Sequence, residues 1–169
     1  MELGNNIQRG RVYIETSIIS VLTARPSMNM HSELRRQLTR TWWDRDRAGF
    51  ELFASPLVLA ECEAGDPVAA ERRLDVLRAI PFLEMNDEAL RLAQLLMEIN
   101  AVPPEAQDDA LHVAVAAVHR LDFLLTWNCR HIDNAVRKPL MRQVCQSQGY
   151  QCAEICTPEE LMGGLDERA

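Results

Sequence analysis

Glu15, Glu61, Asp109 and Asn128 stand out because each borders or interrupts an apolar stretch of the chain. Glu15 follows directly on Val12–Ile14, and Asn128 follows directly on Leu121–Trp127. Glu61 lies three and four residues after Val58 and Leu57, on the same face of a short helix. Glu63 points away from that face, toward solvent. Asp109 leads straight into the almost wholly apolar run Ala110–Val118. A carboxylate entering a buried helix must be paired, cap the helix or bind a metal. Acids far apart in sequence that collect in one place repel each other unless a cation neutralises them. Hard divalent cations such as Mg²⁺ and Mn²⁺ take a few carboxylates and complete their shell with water. A cation so held lowers the pKa of water and stabilises charge on phosphate, so the chemistry such a cluster suits is phosphodiester hydrolysis. Each residue also has a local reading. Glu15 can cap the next helix, Asn128 can make a turn, and Asp109 can serve a helix N-terminus.

Helices and strands that alternate must position these residues. Val12–Ile14, Leu52–Ala54, Phe82–Met85, Leu121–Trp127 and Cys152–Ile155 read as strands. Ile18–Leu22 begins a helix that Arg25-Pro26-Ser27 interrupts, and Leu34–Trp43 has helical spacing at 34, 38 and 42. Ser55-Pro56 and Asp66-Pro67 each join an N-cap to a proline at the first helical position. Asn86 or Asp87 caps a helix to about Ile99, and Leu140–Gln148 is another. Pro103-Pro104 reads as the start of the helix carrying Asp109, which puts that carboxylate more than a turn inside it. Thr157-Pro158 opens a last turn. The alternation predicts an α/β fold: a three-layer α/β/α sandwich with a mainly parallel sheet, formed by residues 1–169 as one domain. In such sheets ligands bind at the carboxyl ends of the strands, where Glu15 and Asn128 fall.

Tyr13-Ile-Glu-Thr-Ser17, Leu59-Ala-Glu61, Asp109-Ala-Leu-His-Val-Ala114 and Leu124-Leu-Thr-Trp-Asn128 resemble, in order and rough spacing, the four acidic motifs of PIN domains. The likeness is greatest to the VapC-type toxins of prokaryotic toxin–antitoxin pairs and spans about Val12 to Glu160. It implies a metal-dependent ribonuclease with an α/β/α sandwich. The implied catalytic and metal-binding residues are Glu15, Glu61, Asp109 and Asn128, with Thr16, Ser17 and Thr126 as secondary polar groups. It further implies Mg²⁺ or Mn²⁺ as cofactor, an RNA substrate, an antitoxin partner and a homodimer. Two positions depart from the pattern. Glu15 stands where the family usually has Asp, and Asn128 stands where Asp is frequent. The nominal site charge is then −3, which leaves open a catalytically weak PIN-fold module that binds RNA or protein.

Composition bounds these readings. With 47% hydrophobic and 25% charged residues, the 169-residue chain is an ordinary globular domain. No apolar run reaches the roughly 18 residues of a membrane helix, and Met1–Arg11 lacks a signal-peptide core, so a cytoplasmic protein is expected. The net charge of −7 excludes a general positive field for nucleic acid. The basic residues concentrate before residue 48, where Arg35, Arg36, Arg40, Arg45 and Arg47 surround Trp42 and Trp43. That stretch reads as an amphipathic helix with tryptophan in the core, or as a contact for RNA or an acidic partner. Five cysteines without framework spacing read as reduced thiols, and Cys145, Cys152 and Cys156 lack the paired spacing of a zinc site. His112 lies three residues after Asp109 and reads as a core histidine able to bond an acid. Arg130 and His131 belong to a polar loop over the strand ends, or reach a phosphate.

Overall fold

The computed structural model describes residues 10–163. Four strands form the sheet: β1 (Gly10–Ile14), β2 (Phe50–Phe53), β3 (Phe123–Leu125) and β4 (Glu154–Cys156). All pairings are parallel and the order is β2-β1-β3-β4. Among the described residues, seven helices flank the sheet: α1 (Thr16–Thr23), α2 (Met30–Arg45), α3 (Pro56–Glu63), α4 (Pro67–Leu77), α5 (Asp87–Glu98), α6 (Gln107–Val118) and α7 (Lys138–Ser147). Helices α1 to α4 pack as one group and α5 to α7 as another. This is the three-layer α/β/α sandwich with a parallel sheet that the alternation predicts.

The apolar runs build the core as expected. Val12, Tyr13, Ile14, Leu124 and Leu125 are fully buried, and α6 is buried from Ala110 through Ala117. Alanine at four of those eight positions leaves little side-chain volume around the helix, which lets neighbouring elements approach closely. Trp42 is fully buried, whereas Leu34 on the same helix is exposed. Helix starts follow local chemistry. Ser55, Asp66 and Asn86 each accept a hydrogen bond from the backbone N–H three residues on. Thr157 and Glu160 close a capping box around the 3₁₀ turn Pro158–Leu161.

Two expectations fail. Phe82–Met85 is not a strand: Phe82 makes a single bridge to Ala54 and is 41% exposed. The reason lies in its neighbour. Ser55 caps α3 immediately after Ala54, so the chain beside Phe82 turns helical and offers no further ladder. The helix carrying Asp109 begins at Gln107, not at Pro103-Pro104. The two prolines form a turn closed by Ala106 N–H donating to the Pro103 carbonyl at 2.9 Å. Asp109 is therefore the third residue of α6, inside its first turn.

Candidate functional site

In the order β2-β1-β3-β4, chain direction across the sheet reverses between β1 and β3. A crevice opens at the carboxyl ends of the strands at such a switch point. Ile14 is paired with Leu125, so the residues that follow, Glu15 and Thr126, leave the sheet side by side. Thr126 Oγ1 donates to Glu15 Oε2 at 2.7 Å. The same carboxylate oxygen accepts from Ser17 N at 3.1 Å and from the Ser17 hydroxyl. Glu15 thus caps α1 as its local reading holds, and it is only 5% exposed. Its other oxygen, Oε1, faces His112 Nε2 at 3.9 Å.

Glu61 arrives from α3, and Glu63 is exposed as expected. Glu61 Oε2 accepts from the Thr16 hydroxyl and lies 3.0 Å from His112 Nε2. His112 is fully buried. Its second nitrogen, Nδ1, lies 2.8 Å from the Tyr13 hydroxyl, which lies 2.7 Å from Ser55 Oγ. A chain of polar groups therefore runs from the first turn of α3, through β1 and α6, to Glu61. Glu15, Glu61 and His112 bring one ligand atom each to within 4.8 Å of one another, a group that can hold a metal ion.

Asp109 and Asn128 form the adjoining half. Asn128 Nδ2 donates to Asp109 Oδ1 at 2.9 Å, and His131 Nδ1 is 2.8 Å from Asp109 Oδ2. Asn128 Oδ1 accepts from the backbone N–H of His131 at 3.1 Å, so Asn128 makes a turn as its local reading holds. The amide consequently shows Asp109 its nitrogen, not its oxygen. Asp109 caps nothing with its side chain. The Thr126 hydroxyl joins the halves, since it accepts from Asn128 N–H at 2.9 Å while donating to Glu15.

Without a cation, this cluster is relieved of repulsion by donors. That differs from the expectation of bare, mutually repelling acids. Burial opposes charge on His112, but the Glu61 hydrogen bond and the charges of Glu15, Glu61 and Asp109 outweigh it and raise the imidazole pKa above 6.5. Burial likewise works against the Glu61 anion. The hydrogen bond and charge of His112, with the Thr16 bond, overcome it and hold Glu61 below 4.5. Burial, aided by the Glu15 and Glu61 charges, pushes the Tyr13 phenol upward, so it stays neutral.

These shifts predict a pH window. The His112 contribution to stability is complete below 6.5 and fades as pH rises through its elevated folded value. The Glu61 contribution is complete above 4.5 and fades as pH falls through its depressed folded value. In chelator, the pair stabilises most between 4.5 and 6.5. Urea midpoints should fall on the alkaline side of that window, and His112→Gln should flatten the fall. A wild-type profile that stays level above neutrality would contradict the ion pair.

Sequence reasoning placed His112 in the core and noted that it could bond an acid; the structure shows both. It gave Ser55 only the role of a helix cap and gave Tyr13 none at the site. The alternation of β1 carried the signal for Tyr13, since residues 13 and 15 share one face of the strand. His131, read either as part of a polar loop over the strand ends or as a phosphate contact, lies 2.8 Å from Asp109 Oδ2. Beside the site, the Arg35 guanidinium lies 5.1 Å over the Trp127 ring, while Arg36 is paired with Glu33. All five cysteines are free thiols. Among the described residues, no helix is long and apolar enough to cross a membrane. Compared with protein-family models and with curated proteins, the chain matches none.

Proposed function

We propose that this protein is a divalent-metal-dependent ribonuclease of the PIN type, acting as the toxin of a toxin–antitoxin pair. The observation that carries this reading is the convergence of Glu15, Glu61, His112, Asp109 and Asn128 at the switch point of a parallel sheet, from four separate segments. The cation, Mg²⁺ or Mn²⁺, would supply charge to the scissile phosphate and acidify water. Glu15 and Glu61 hold it, with Ser17, Thr126 and Thr16 fixing their carboxylates by hydrogen bonds. Asp109 orients solvent and takes up its proton. Arg35, held on the Trp127 face at the rim, contacts a backbone phosphate of the substrate. The antitoxin and the homodimer follow from the resemblance to VapC-type toxins, and a cytoplasmic setting from cysteines that read as reduced thiols.

One observation favours a second reading, a catalytically weak module on the same fold. The Asn128 amide turns its nitrogen toward Asp109 and so adds no ligand oxygen at the fourth position. Incubation of the purified protein with single-stranded RNA separates the two. Cleavage that appears with Mn²⁺ or Mg²⁺, stops with chelator and returns with added metal is the expected result. Metal binding without cleavage would support the weak module, and absence of metal binding would sink the metal-site reading.

A further inference from the structure

Building on the proposed metal site, we infer that its cation is bound directly by His112 Nε2 together with Glu15 and Glu61, a mixed imidazole–carboxylate donor set that selects Mn²⁺ over Mg²⁺. The spacing fits. An octahedral ion with bonds of about 2.1 Å holds cis donors roughly 3.0 Å apart and trans donors roughly 4.2 Å apart. His112 Nε2 lies 3.0 Å from Glu61 Oε2 and 3.9 Å from Glu15 Oε1.

A second observation points to a ligand. Glu15 Oε2 takes all three of that carboxylate's hydrogen bonds, from Ser17 N, Ser17 Oγ and Thr126 Oγ1. Oε1 accepts no hydrogen bond from the described residues, on a side chain only 7% exposed, and it is aimed at His112. This leaves Oε1 as the face of the Glu15 carboxylate that is open to a ligand beside His112. Asp109 differs, because Asn128 and His131 engage both of its oxygens.

A third observation is the support behind the imidazole. A histidine that binds metal through one nitrogen keeps the other protonated and anchored to an acceptor. His112 Nδ1 has the Tyr13 hydroxyl at 2.8 Å, and Tyr13 has Ser55 Oγ at 2.7 Å. The phenol oxygen accepts the Nδ1 proton and its own O–H goes to Ser55. Tyr13 and Ser55 are positioning residues in this arrangement; neither reaches the cation. Mg²⁺ dehydrates reluctantly and keeps to oxygen donors, whereas Mn²⁺, a first-row transition ion at home among carboxylates, also accepts an imidazole nitrogen beside them.

The test uses the full chain labelled with ¹⁵N-histidine and loaded with Mn²⁺ alone. Pulsed electron–nuclear double resonance should show a directly coordinated ¹⁵N, and the signal should persist in His131→Asn, which removes the neighbouring imidazole. Competition titration should show Mn²⁺ binding at least about 10-fold tighter than Mg²⁺. Tyr13→Phe should weaken Mn²⁺ by about 10-fold while leaving Mg²⁺ unchanged, a change in selectivity that general loss of structure would not produce. His112→Gln, if it folds, should lose the nitrogen coupling and the selectivity together. Mn²⁺ bound without ¹⁵N coupling, coupling that vanishes in His131→Asn, or equal affinity for both cations would overturn the inference and leave the metal-site reading standing. No Mn²⁺ binding at all would overturn both.

Discussion

Asp109→Asn is expected to cut metal-dependent RNA cleavage at least about 10²-fold, equivalent to roughly 2.7 kcal/mol of barrier. The substitution keeps the shape of the side chain and removes the proton acceptor of the site. It also removes one of three negative charges near the cation, so Mn²⁺ affinity should fall. The metal-free fold should lose little. Asn at 109 can still accept from Asn128 Nδ2 and can still donate toward a neutral His131. What goes is the favourable charge in the first turn of α6, about 0.3–1 kcal/mol. Single-turnover cleavage and urea denaturation on the same preparation check both halves. If the variant unfolds while each folded molecule cleaves at the wild-type rate, Asp109 is structural and its catalytic assignment is wrong.

Asn128→Asp is expected to destabilise the metal-free protein by about 2 kcal/mol at neutral pH and to tighten Mn²⁺ binding. One carboxylate oxygen of the new side chain can keep the bond from His131 N–H. The other replaces an amide donor that sits 2.9 Å from Asp109 Oδ1. A charge-assisted hydrogen bond of about 1.5–3 kcal/mol is lost, and two like charges are left in contact. At an effective dielectric near 20, that repulsion is on the order of 5 kcal/mol, so the pair takes up a proton instead of bearing it in full. The folded pKa of the pair is then raised. Stability should recover as pH falls through that value, and also on addition of Mn²⁺ at neutral pH. Urea midpoints with and without Mn²⁺, at neutral and mildly acid pH, read the effect. A variant as stable as wild type in chelator would show that position 128 does not face Asp109.

The two variants are expected to move metal affinity in opposite directions, and the reason appears only in three dimensions. The sequence by itself determined the helix starts at Ser55-Pro56, Asp66-Pro67 and Asn86-Asp87, because an N-cap is a bond between residues three apart and needs no distant partner. It also determined β1 and β3, whose apolar runs can be buried only as inner strands, and the presence of Glu15, Glu61 and Asp109 at the margins of those elements. It misled where a local signal depended on a neighbour. Phe82–Met85 has strand composition, but α3 begins where its partner strand would continue. Pro103-Pro104 looks like a helix start, but the Pro103 carbonyl is taken up in a turn and α6 begins at Gln107. His112 in an apolar run reads as core, and it is core. Its meaning depends on Tyr13 from β1 and Glu61 from α3, residues 99 and 51 positions away. Only the strand order, with β1 beside β3, sets Glu15 next to Thr126 and both beside that histidine. Local hydrogen bonds and periodicity are written along the chain. Which buried polar groups satisfy one another is decided by packing, because an unpaired buried charge is costly wherever its partner lies in sequence.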